Sequence, residues 1–118
     1  MELYNRLHIL MDANQISQRT FDEALKVIAM FNSRWNISLT EENGPMFITH
    51  FSIALERISK GETIEHIEEA VYREVLNNKN FHKYENIVND IETEIGIKIP
   101  ENEKVYLNIY VCNIFENA

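Results

Sequence analysis

The 118-residue chain is poor in the residues that break helices, with only three glycines and two prolines. So few turn-formers disfavour an all-β fold, with its many tight turns, and favour helices. A single cysteine, Cys112, leaves no intrachain disulfide and no cysteine-based zinc site. It lies in an apolar run and is expected to pack as a small buried hydrophobe. No apolar run approaches ~18 residues, so no membrane span is predicted. The amino-terminal MELYNRLHILMD is too mixed in character for a signal peptide, which makes the cytoplasm the expected location. Clustered basic charge is also missing. The net charge is −8, the 11 Lys and Arg are scattered, and the pI is near 4.9. Binding to nucleic acid needs basic patches, so direct contact with DNA or RNA is not expected.

Motifs of catalysis are equally scarce. There is no Gly-rich phosphate loop, no GxSxG elbow and no HExxH. No histidine has a Glu three residues before it, which removes the di-metal bundle signature. Neither cofactor nor metal is expected, and the chain does not read as an enzyme.

What is present is ordinary for a globular protein: 45% hydrophobic and 25% charged residues. The length fits a single domain, residues 1–118, able to bury a core without a staple. Apolar periodicity predicts helices over about 2–11, 18–35, 45–59, 63–76, 81–95 and 100–115. The second carries a stripe of Phe21, Leu25, Ile28 and Ala29, and the Thr20–Glu23 spacing allows a late start. Asn43 is the preferred cap of the third, since it places Pro45 in the first turn. The fourth is expected to turn Ile64, Ile67, Val71 and Val75 inward. The fifth carries Tyr84, Ile87, Val88, Ile91 and Ile95, and Gly96 closes it. Residues 105–112 are apolar except for Asn108, so the last helix is expected to be the most buried. The fold class is therefore all-α, a compact bundle of five to six helices.

Three of the four histidines have plain readings. His8 sits beside the first apolar stripe, His66 can share a solvated face with Glu62, and His82 belongs to an exposed first turn. His50 is placed differently. At about 100° per residue, Phe47, Phe51, Ala54, Leu55 and Ile58 form the apolar stripe of MFITHFSIALERIS. Met46, His50, Ile53 and Arg57 form the row beside it. Arg57 lies two turns on, roughly 10 Å, and helical side chains lean toward the amino terminus. Its guanidinium can therefore reach back past the small Ala54 toward His50. A cation there disfavours a protonated imidazole and favours an anionic group carried on it. Spacing alone leaves two readings open, a structural histidine and a phosphoryl-bearing one.

The stretch THFSIALERISKG resembles the signature of the PTS regulation domain (PRD) family: a histidine, a small residue four later, an arginine three after that, then a glycine. The context is similar too. ISLTEENGPMFI precedes it, and GIKIPENEKVYLNIYV resembles the family's Gly-hydrophobic-x-hydrophobic-Pro stretch leading into Glu-x-x-Tyr-Leu-x-x-His. The likeness runs from about Glu2 to Phe115. It implies a PRD-like helical bundle that often dimerises, in bacterial regulators and antiterminators of sugar operons. It also implies phosphoryl transfer to histidine from HPr or a sugar-permease IIB component. On that resemblance His50 is the acceptor and Arg57 its charge partner. Glu103 is in register, but Tyr110 stands where the family usually has a second histidine, and is expected to be a core or interface tyrosine. The length leaves no room for an effector domain, so a stand-alone PRD is expected, with Met1 as the start of a complete chain. Two other possibilities remain at this point. One is a silent PRD, acting as a constitutive dimer or partner-binding module. The other is an enzyme or ligand binder using His50, Glu103 and Tyr110 in the bundle interior.

Overall fold

Two of the long helices of the protein end at a residue whose left-handed backbone stops them, Asn36 and Gly96. The structure, a computed structural model, describes residues 2–62 and 67–117. Among these, six helices form: α1 (Glu2–Asp12), α2 (Gln18–Trp35), α3 (Pro45–Ser59), α4 (Glu69–Asn77), α5 (Phe81–Ile95) and α6 (Glu101–Glu116). The fold is the expected all-α bundle, with no strand among the described residues.

Helix α2 starts at Gln18, without the late start allowed by the Thr20–Glu23 spacing. Ser17 is its cap, and its hydroxyl accepts from the Thr20 N–H at 3.3 Å. At the far end Asn36 takes a left-handed conformation, φ 56°, and its N–H returns to the Phe31 carbonyl. Asn43 does not cap α3 as expected. Its Oδ1 accepts from the Thr40 N–H at 2.7 Å, and its Nδ2 donates to the Ser38 carbonyl at 3.0 Å, so it ties the preceding turn. Gly44 is the cap residue, directly before Pro45. A Cβ at Gly44 would sit 3.3 Å from both Leu39 Cβ and the Thr40 carbonyl oxygen, a close approach that suits glycine.

The fourth helix is shorter than expected and begins at Glu69. Of its expected inward set, Val75 is buried, Ile67 and Val71 are half-buried, and Ile64 lies outside the described residues. His66, and with it the Glu62–His66 pair, lies outside them as well. Helix α5 has the expected bounds and stripe, and Gly96 at φ 68° ends it.

The core is built around aromatic rings on α2 and α3. Phe31 meets Phe47 edge-on at 5.4 Å, and Phe47 stacks on Phe51 at 5.6 Å. The buried face of α2 is Phe21, Ala24, Val27, Met30 and Phe31. It is rotated from the expected stripe: Leu25 and Ile28 are half-buried and Ala29 is exposed. The cause is the number of neighbours, because α2 packs against α1, α3 and α5 together. Helix α6 packs against α3, α4 and α5 and keeps most of its length out of water. Cys112 on α6 is half-buried against the core, and Asn78 Nδ2 lies 3.2 Å from its Sγ. Burial, ahead of nearby Glu116, pushes the thiol up to about 11, so it stays protonated at neutral pH. The α3–α6 seam is what positions the candidate site.

Candidate functional site

The α3–α6 seam brings His50, Arg57, Glu103 and Tyr110 together. Helix α3 supplies the first two from the row that flanks its apolar stripe. Helix α6 supplies the others from positions 103 and 110, two turns apart on one face.

Glu103 is the centre of the group. It is fully buried, at 0% exposure, on the inward face shared with Leu107, Val111 and Ile114. An unpaired carboxylate at such a place is costly, and here Arg57 meets it in a two-pronged contact. Arg57 Nε donates to Oε2 at 3.0 Å and an Nη2 hydrogen to Oε1 at 3.1 Å. His50 Nε2 lies 3.7 Å from the same Oε1. That separation is too long for a closed hydrogen bond, and Nε2 is enclosed without a hydrogen-bond partner. Burial pushes the Glu103 carboxyl up, but His50 and Arg57 overcome it and hold the group below the ordinary carboxylate value of 4.5.

Two tyrosines of α6 pack on the imidazole. Tyr110 lies 4.9 Å away, ring to ring, and Tyr106 5.8 Å away, both tilted. Tyr110 is half-buried and packs against the core cluster. The His50 side chain is 21% exposed, and Nε2 contributes nothing to that exposure. Arg57 is 29% exposed, so the guanidinium reaches from buried carboxylate to water.

Arg57 therefore approaches His50 through Glu103, which stands between them and takes the guanidinium. Sequence reasoning set Arg57 directly toward His50 and named Glu103 only as in register. The signal for its role lay in the pattern: an acidic residue four before Leu107 on the buried stripe needs a buried cation.

The other flank of α3 holds a second carboxylate that sequence reasoning missed. Glu56 Oε1 accepts from the Ser17 N–H at 2.8 Å, the Ser17 hydroxyl at 2.8 Å and the Thr20 hydroxyl at 2.6 Å. Of the other histidines, two are described and take the plain roles expected of them. His8 packs edge-on between Tyr4 and Phe21, and His82 is exposed on α5.

The groups considered for an interior active site do meet, but neither of two clefts beside α6 is lined by His50 or Glu103. A depression between the start of α3 and the end of α6 is lined by Met46, Phe47, Tyr110 and Ile114 and stops short of His50. A separate cleft lies between α4, α5 and α6, lined by Tyr72, Val75, Phe81 and Lys104 among others. Among the described residues no cluster of three or more His, Cys, Asp or Glu is placed to hold a metal ion. No helix among them is long and apolar enough to cross a membrane.

Comparison with known proteins bears directly on this arrangement. The PRD domain family matches residues 25–113, which include all four residues of the site. The chain belongs to the PRD family. PRDs are regulatory modules of the phosphotransferase-system type rather than enzymes. The family match begins inside α2, so α1 and the Ser17 cap lie outside it. The chain is also similar to "Uncharacterized protein YhfY" of Escherichia coli (strain K12), with 23% identity over 107 residues and 89% of each chain covered. No solved structure matches the PRD chain.

Proposed function

We propose that this PRD is a phosphorylation-controlled regulatory and interaction module of the sugar phosphotransferase system. His50 accepts the phosphoryl group, and HPr or a sugar-permease IIB component donates it. The module acts in the cytoplasm, on transcription or antitermination of sugar-utilisation genes, and does so through protein partners rather than by touching nucleic acid. The observation that carries this reading is the seam itself. A partly exposed imidazole stands over a buried carboxylate whose charge is already met by Arg57. An added phosphoryl brings about −2 of charge, and the part-exposed guanidinium is the cation that can share it. The two-state element is the packing of α3 on α6, or the association of two copies.

The test is incubation with the phosphotransferase chain and a labelled donor. Acid-labile label on the wild type, absent from His50→Ala, is the expected result. Label that survives His50→Ala would remove His50 from the role.

One observation favours a second reading, a silent PRD. Tyr110 packs on His50 at the place where the family usually has another histidine. A constitutive dimer or partner-binding module then needs no phosphoryl group. It would take no label from any cognate donor, and His50→Asp would leave its partners and association unchanged.

A further inference from the structure

The two nitrogens of His50 are not equivalent in this fold. Nε2 is sealed from solvent and faces Oε1 of Glu103 at 3.7 Å, with no hydrogen bond yet closed. The exposed fifth of the side chain belongs to other atoms of the residue. Glu103 cannot turn away, because Arg57 grips both of its oxygens. The ring is confined as well, with Tyr110 and Tyr106 packed on it. A neutral imidazole carries one N–H and one lone pair, and an ionised carboxylate only accepts. A lone pair on Nε2 would therefore face a negative oxygen inside a dry pocket, whereas a proton there faces an acceptor. Loose contacts of this kind tighten when the partner arrives.

We propose that Glu103 is a positioning residue that holds the His50 proton on Nε2 and presents Nδ1 as the phosphoryl acceptor. The inference rests on His50 being the phosphorylated residue, and it adds which atom reacts and what aims it. The Nδ1 lone pair forms the new N–P bond while the bond from phosphorus to the donor's own carrier atom, a histidine nitrogen or a cysteine sulfur, breaks. That carrier atom leaves with the electron pair. The imidazole becomes positively charged as it gains the phosphoryl group, and the Nε2 proton then closes onto Glu103, whose charge offsets the new cation. Orienting a histidine through its second nitrogen is the same physics that a buried carboxylate performs in hydrolase triads.

The experiment has two arms. Long-range proton–nitrogen NMR on the unmodified protein, at a pH where the ring is neutral, reads the tautomer without any donor. The Nε2–H form is expected, and a dominant Nδ1–H form would overturn the assignment. The second arm phosphorylates the protein and reads the isomer by nitrogen–phosphorus coupling. Phosphoryl on Nδ1 supports the proposal, and phosphoryl on Nε2 defeats it. A protein with the Nε2–H tautomer that no donor labels refutes the acceptor role of His50 while leaving the hold of Glu103 intact. Glu103→Gln is the variant of choice, because an amide offers donor or acceptor with equal ease. It is expected to let the ring sample both tautomers and to slow phosphorylation at least about tenfold, a modest share of what losing the orienting carboxylate costs a triad. If it does not fold, the wild-type tautomer still decides the matter.

Discussion

At the scale of single residues, Glu103 ties stability to the site. Its carboxyl titrates below 4.5 in the folded chain. A group whose folded value is depressed stabilises the fold above its unfolded value, and that stabilisation is lost as pH falls through the folded value. The chain is therefore expected to weaken below about pH 4.5, and Glu56 and Glu92, also held low, act in the same direction. Glu103→Gln should flatten this acid limb in urea midpoints measured from pH 7 to pH 3. At pH 7 the same variant strands Arg57. The cost is expected to be about 3 kcal/mol, the low end for a broken buried pair, because Arg57 can still reach water. An acid limb unchanged in Glu103→Gln would show that this carboxylate is not the one being protonated.

At the scale of elements, α3 is a helix clamped on both flanks. On one side Glu103 of α6 holds Arg57. On the other, Glu56 reaches the start of α2 and satisfies the Ser17 N–H, one of the donors that a helix start leaves open. Glu56→Ala leaves that N–H and two hydroxyls without their acceptor. The expected cost is on the order of 2–3 kcal/mol, and Glu56→Gln should cost less because its carbonyl can still accept. Amide exchange in the first turn of α2 should rise selectively, and uniform exchange along α2 would argue against the clamp. These two carboxylates also mark what the sequence could and could not disclose. Helix α5 was fully legible, because one apolar stripe and a closing glycine have a purely local cause. His50 and Arg57 were legible as a flanking row for the same reason. Glu56 and Glu103 were not legible as buried anchors, because their partners lie 39 and 46 residues away and periodicity cannot report them. The rotated face of α2 and the Gly44 cap were set by neighbours, which the local pattern does not contain.

At the scale of the whole molecule, charge decides how the site can speak to a partner. The chain already carries −8, and a phosphoryl on His50, as proposed, would add about −2 at the α3–α6 seam. Met46 precedes His50 by one turn on the same row and is 65% exposed, so apolar surface adjoins His50. If two copies associate through this face, each phosphoryl group brings like charge to the junction. Sedimentation velocity on wild-type, phosphorylated and His50→Asp protein then has a definite outcome. At about 0.01 M salt the screening length is ~30 Å, and the modified chains should dissociate several-fold more readily than the wild type. At about 1 M salt it is ~3 Å, and the difference should nearly vanish. Arg57→Gln should enlarge the low-salt difference, because the cation that meets the added charge is gone. A difference that persists unchanged in high salt would place the switch in helix packing rather than in repulsion between copies. No difference at either salt would leave the face around His50 outside the junction and favour the silent module.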